Sequence, residues 1–173
     1  MKRAAAIAIL IVALNIVAAF VGRGSFLHVM IALMLLMYVV VPATVLALLA
    51  MVVARWRPAL HAVARWLFVV ALVAGSFLLS VPPGILLLRR DIAAAKSYCD
   101  ALVPRLEEHR RMHGAYPEKI GAVSNAADRP RLLVRDTFYM SNGVEFLFSF
   151  DNPGGMFNGF SFASTDGRWE EWD

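Results

Sequence analysis

His109 and His113 stand four residues apart, with Glu107 and Glu108 just before them. On a helix that spacing puts both imidazoles on one face, where they could begin a metal site. Zinc wants a third or fourth ligand and a supporting shell. The chain has no His-Glu-x-x-His run and no paired cysteines. A solvated helix end accounts better for the pair, and no metal is expected. Cys99 is the only cysteine, so no internal disulfide can form. It falls on the apolar side of an expected helix, where a thiol packs as a small hydrophobe. No Gly-x-Ser-x-Gly elbow, phosphate-binding loop, dinucleotide fingerprint or nucleophile–base pair occurs. His28 and His61 have no acidic neighbour in sequence. Neither an enzyme nor a cofactor is expected. What remains is a recognition feature, Glu170-Glu171-Trp172, where a large aromatic stands amid charge as partner-binding surfaces often have it.

The elements that carry these residues divide sharply by composition. All thirteen carboxylates lie from Asp91 onward, and three long apolar runs fill the positions before it. Asp and Glu are costly in hydrocarbon, so a long stretch free of them reads as a helical membrane unit. Hydrophobic residues make up 60 % of the chain, well above the soluble average. The formal net charge of +4 conceals +6 over residues 1–88 and −2 over residues 89–173. The basic excess therefore flanks membrane. No basic stripe with interleaved aromatics marks a nucleic-acid footprint. Two domains are expected: a three-span transmembrane unit at 1–88 and a soluble α+β domain at 89–173.

The first apolar run, residues 4–21, follows Lys2-Arg3 and is interrupted only by Asn15. About 18 residues at 1.5 Å each give roughly 27 Å, just enough to cross hydrocarbon. A cleaved signal peptide is the rival reading, although the run is long for a signal core. The second run, residues 26–54, exceeds what a bilayer needs and contains Pro42, so tilt or a kink there should absorb the excess. The third, residues 66–88, holds Ala71, Gly75, Ser76, Ser80 and the breaker Pro82-Pro83-Gly84. Asn15, Thr44, Ser76 and Ser80 are too few polar groups for an ion path or proton relay. Lys2, Arg3, Arg55, Arg57 and Arg65 lie on one side, and Arg23 alone marks the Gly22-Arg23-Gly24-Ser25 hairpin on the other. Trp56 and Trp66 bracket the arginine loop as interfacial aromatics. The positive-inside rule then puts the N-terminus in the cytoplasm and residues 89–173 outside. Arg89, Arg90 and Lys96, close after the third span, narrow that margin.

Beyond the breaker, Ile85, Leu88, Ile92, Ala95, Cys99, Leu102 and Leu106 alternate steps of three and four, which makes one apolar stripe. Pro104 should kink this helix without ending it, and Gly114 should terminate it. After residue 130 the period changes to two. Val144, Phe146, Phe148 and Phe150 share one strand face, and Phe160 with Phe162 repeat the pattern. Further strands are expected at 132–140 and 168–172, with turns at Asn142-Gly143 and Asp166-Gly167 and a longer loop from Asp151 to Gly155. The fold expected is one long amphipathic helix packed on a small antiparallel meander, with the Phe row as its core.

That order, with His113-Gly114-Ala115-Tyr116-Pro117-Glu118-Lys119-Ile120 after the helix and Asp166-Gly167-Arg168-Trp169 at the close, resembles the globular part of type II secretion pseudopilins and the wider type IV pilin-like family. Gly114, Tyr116 and Pro117 match that family's Gly-x-Tyr-Pro turn. The resemblance covers about the second half of the chain. It implies a borrowed fold in a bacterial envelope setting, with the chain in the inner membrane and the second half periplasmic. Because major pseudopilins bind calcium near the end of the sheet, it also raises Asp151, Asn152 and Asp166 as oxygen donors, although Asp and Asn are ordinary turn residues. The departures are large. Family members begin with a processed leader and one hydrophobic helix bearing a glutamate that drives assembly, whereas no acid precedes Asp91 here. Neither prepilin processing nor pilin-like polymerisation is expected.

Fold does not give function. From Asp136 to Asp173 there are seven acids and one base, while 89–135 has ten bases and six acids. An acidic, Trp-bearing end suits a protein partner. The expected function is non-enzymatic: a membrane protein, in contact with lipid, whose outer domain binds a protein in an envelope or secretion-related assembly. The alternative is an immunity protein whose spans intercept a membrane-active toxin.

Overall fold

The computed structural model describes the backbone from Lys2 and the side chains from Ala8 to Asp173. The side chains of Lys2 and Arg3, on which the orientation partly leans, lie outside the described residues. The chain forms two compact units that divide between Leu87 and Leu88.

The first unit is helical: α1 (Lys2–Gly22), α2 (Phe26–Leu35), a π-helical turn (Leu36–Val40), α3 (Val41–Val53), α4 (Leu60–Ser76) and a 3-10 turn (Phe77–Ser80). The helix α5 (Val81–His113) begins here and runs on into the second unit. Two helical stretches are long and apolar enough to cross a membrane, Phe26–Val53 and Leu60–His113. This corrects the expectation of three. Among the described residues the first helix offers Ala8–Gly22 as a shorter apolar segment.

Small residues lie inside this unit and large ones outside. Ala32, Ala43, Ala47, Ala64 and Ala71 are buried, whereas Leu46, Leu49, Phe68 and Leu72 are exposed. Water would not tolerate that arrangement well. In lipid it is the expected one, because close backbone approach and not hydrophobic exclusion holds helices together. Gly75 faces Val40, whose methyls would lie 3.7 Å from an added Cβ.

Two prolines behave differently from expectation. Pro42 does not simply kink the second run; the turn ahead of it widens to π over Leu36–Val40. A proline lacks the N–H and crowds the carbonyl four residues back, and a π-turn relieves both. Pro82-Pro83-Gly84 does not break the chain either. After the 3-10 turn these residues occupy the first turn of α5, where no intrahelical donor is needed.

In the second unit α5 continues through Pro104 and ends at Gly114, whose φ of +79° and N–H to Arg110 O (2.8 Å) make a left-handed cap. The sheet is antiparallel with order β1 (Tyr139–Ser141), β2 (Phe146–Asp151), β3 (Gly159–Ala163), β4 (Trp169–Trp172). As expected, a long helix meets a small meander. Ala95, Cys99, Leu102 and Leu106 pack with Phe146, Phe148, Phe150, Phe160 and Phe162. Burying Phe148 completely contributes on the order of 1.5–3 kcal/mol.

Two strand expectations are corrected. Residues 132–140 supply only Tyr139–Ser141; before it come 3-10 turns at Arg131–Leu133 and Asp136–Phe138. Pro130 starts this run of turns, and its carbonyl accepts from Leu133 N–H at 2.9 Å, which plugs Leu133 into the core. Val144 is 65 % exposed and sits in the turn, not on the Phe face. Asn142 Oδ1 accepts the N–H of both Val144 (2.9 Å) and Glu145 (2.8 Å), so an Asx turn takes the position that alternation would give a strand.

Candidate functional site

The turn motif works as a hook. Tyr116 is buried edge-on against Phe146 (4.9 Å between centroids), and its hydroxyl donates to Glu107 at 2.5 Å while Arg110 Nη1 donates to it at 3.1 Å. Burial, with the Glu107 hydrogen bond, pushes the Tyr116 phenol up from its ordinary value. The Tyr116 N–H reaches Gly143 O at 2.9 Å, and Pro117 O accepts from the Tyr139 hydroxyl at 2.8 Å. Gly114, Tyr116 and Pro117 thus fasten the end of α5 to β1 and to the β1–β2 turn. Their role is structural.

The two histidines are spent on the helix end. Their rings stack at 4.2 Å; His113 Nδ1 contacts His109 O (3.0 Å) and His109 Nδ1 contacts Ala115 O (3.1 Å). One ring nitrogen thus meets a carbonyl in the last turn of α5 and the other a carbonyl in the turn beyond it. The calcium donors are not brought together. Asp151 pairs with Gly159 at one end of β3, while Asp166 lies in the turn after Ala163 at the other. Five residues of strand, about 13 Å, separate the two ends. Asn152 Oδ1 already accepts the Gly154 N–H at 3.0 Å.

Cys99 has no exposed surface, and burial, with Asp100 adding, pushes its thiol from 9.0 up to about 12. The folded chain therefore keeps a proton that the unfolded chain releases near pH 9.0. The stabilisation is complete below that pH and is lost as pH rises toward the folded value. Native protein should resist maleimide at pH 8 and react once denatured, and its melting point should fall above pH 9. Rapid labelling of the native state would contradict this burial.

Trp169 and Trp172 take opposite faces of the sheet. Trp169 pairs in register with Phe162 and packs on Phe150 and Phe162, and its Nε1–H donates to Asp100 at 2.9 Å. Lys96 Nζ sits 3.9 Å from the Phe160 ring centre and 5.3 Å from that of Trp169. Trp169 therefore closes the core. Trp172 pairs with Gly159 on the outer face and covers it so closely that an added Cβ would lie 2.3 Å from its ring; it remains 37 % exposed. Glu170 shares that outer face, 3.4 Å from Arg168, while Glu171 alternates to the other and accepts from Asn158 Nδ2 at 3.3 Å. The three residues do not form one surface; Trp172 and Glu170 do.

One polar node escaped the sequence reading. His28 is buried, with Gly24 N–H donating to its Nδ1 at 3.2 Å and its Nε2 2.8 Å from Ser80 Oγ, whose hydroxyl reaches Phe77 O at 2.6 Å. With Nδ1 accepting, the proton sits on Nε2 and donates to Ser80, so the neutral ring is fully satisfied. Gly22 makes room, since a Cβ there would fall 2.5 Å from the ring. Asn15 Nδ2 donates to Ser76 Oγ at 3.3 Å. The polar side chains of the runs are thus largely paired across helices. Gly22, Gly24 and Gly84 crowd this node in space, but the sequence places Gly84 sixty positions from Gly24 and gives no sign that they meet. No protein-family model, curated protein or solved structure matches the chain.

Proposed function

We propose that the chain is a non-enzymatic inner-membrane protein anchored by its long apolar helices. Its N-terminus is cytoplasmic, and residues 89–173 form a pilin-like periplasmic domain that binds a protein partner in an envelope or secretion-related assembly. The lipid-facing distribution of large side chains supports the anchoring. The helix-and-meander fold with its Gly114-Ala115-Tyr116-Pro117 hook supports the pilin-like reading. The observation that carries the binding reading is Trp172, held on the outer sheet face beside Glu170 and backed by Gly159. A large aromatic fixed on a flat, acidic surface loses little entropy when a partner covers it. The local acidity steers a basic partner, so binding should weaken as salt rises.

C-terminal fusions should give active alkaline phosphatase and a dark fluorescent protein of the kind that fails to mature outside the cytoplasm. The reverse pattern overturns the orientation and the periplasmic partner together. A photoreactive residue at position 172 should capture a protein in intact cells. Trp172→Ala combined with Glu170→Gln and Glu171→Gln should abolish partner recovery while the fold survives.

A second reading, immunity against a membrane-active toxin, is favoured by Asn15. Its Oδ1 is buried without a hydrogen-bond partner, so it becomes available only where the helices around it part to admit another. Capture at Leu35 or Val73 but not at 172 would transfer the function to the spans. A toxin gene next door would point the same way, and secretion genes the other.

A further inference from the structure

Met156 and Phe157 stand at the tip of the β2–β3 loop, 64 % and 78 % exposed. The loop that carries them is built, not slack. Asn152 N–H donates to Asn158 O at 2.9 Å and closes its base, and Gly155 N–H donates to Asn152 O at 3.0 Å. Gly154 N–H donates to Asn152 Oδ1 at 3.0 Å. Gly155 lies so near Asn158 that an added Cβ would fall 1.6 Å from its Oδ1, so a larger residue there would have to displace the Asn158 side chain. Hydrogen bonds and a glycine are committed to holding two large apolar side chains away from the core. In water that arrangement gains nothing.

The position of the loop supplies a reason. Gly154 packs on Leu88 closely enough that its Cβ would meet Leu88 Cδ2 at 2.8 Å. From Gly154 to Phe157 is three residues, at most about 11 Å of chain. Leu88 ends the third apolar run, and the exposed guanidinium side chains of Arg89 and Arg90 follow at once. The two apolar side chains therefore lie within about 11 Å of Gly154, which packs on the last residue of the run beside the paired cations. Aromatic rings favour the layer where hydrocarbon gives way to headgroups, and arginines beside it attract anionic lipid. Glu171, beside the base of the loop, is engaged with Asn158 Nδ2 at 3.3 Å.

We infer that the β2–β3 loop is a second membrane contact of the soluble unit: Met156 and Phe157 enter the headgroup–acyl boundary of the bilayer, with Arg89 and Arg90 on lipid phosphates. The occupant is the lipid surface itself. This rests on the reading of residues 66–88 as a span.

The test uses the full chain carrying Cys99→Ala, reconstituted in nanodiscs containing phosphatidylglycerol. A polarity-sensitive fluorophore is placed singly at Phe157→Cys, Met156→Cys, Leu79→Cys and Thr165→Cys, and quenching by spin-labelled lipid is read. Leu79 is an exposed residue of the run; Thr165 is exposed at the opposite end of the sheet. The expected result is severalfold stronger quenching at 157 and 156 than at 165, with a shallower depth than at 79. Unquenched 157 and 156 with quenched 79 overturns the inference and leaves the span standing. Unquenched 79 overturns both. A blue-shifted but unquenched label at 157 means that protein covers the loop, which also overturns the lipid assignment. The Met156 position keeps the test decisive if the Phe157 variant misfolds.

Discussion

Leu102→Asp should unfold the second unit. Leu102 is 2 % exposed in the cluster where the stripe of α5 meets the Phe row. A carboxylate there has no cation to pair with among the core residues and loses its water, which costs several kcal/mol, on the order of a small domain's whole stability. Arg105→Asp, three residues along on the exposed face, should be nearly silent. Thermal-scanning proteolysis of the full chain in detergent distinguishes them: cleavage within residues 89–173 should appear at low temperature for the first variant and at the parent temperature for the second. Equal sensitivity of the two would refute the helix face.

Gly24→Ala should damage the first unit as severely. Gly24 holds φ at +64° and lies against the start of α5, where an added Cβ would sit 2.5 Å from Ile85 N and 2.6 Å from its Cα. Both obstacles are backbone, so nothing flexible can swing aside. The movement needed would also pull Gly24 N–H from His28 and loosen the Ser80 hydrogen bond behind it. Gly114→Ala is the control. It has a similar φ, +79°, but an added Cβ meets nothing within 4 Å. It should therefore cost only the left-handed strain of about 1–2 kcal/mol. A loss of melting temperature in micelles at Gly24 no greater than at Gly114 would mean that the α1–α2 hairpin and the start of α5 do not touch as described.

These two glycines mark what the sequence could and could not convey. Gly114 was legible because a helix stripe ran into it and a turn motif followed. The stripe of α5 and the alternation of Phe146, Phe148 and Phe150 were legible for the same reason, since each period is complete within one element. Asn142 was read as a turn residue, but its double acceptance from Val144 and Glu145, which withdraws Val144 from the strand, depends on a side-chain geometry that composition does not show. The polar contacts of the first unit were illegible altogether. His28 and Ser80 are 52 positions apart and Asn15 and Ser76 are 61, so only the packing of helices decides that they meet. The face of Trp172 was equally hidden. It follows from the register Gly159↔Trp172, and a shift of one residue would exchange it with Glu171.

The strand order β1-β2-β3-β4 equals the chain order, and every strand pairs with its immediate neighbour through a short connection. Assembly of this sheet therefore needs no distant search. Each pairing closes as a hairpin, an event of roughly 1–10 μs. Low sequence separation within the sheet leaves docking onto α5 as the one long-range step, so the transition state should form there. The same topology leaves two outer strands as potential templates for neighbouring molecules. β1 is three residues long, and β4 carries Glu170 and Glu171 at its centre. Brevity on one side and like charge on the other discourage edge-to-edge growth, so many copies can stand side by side without their sheets joining.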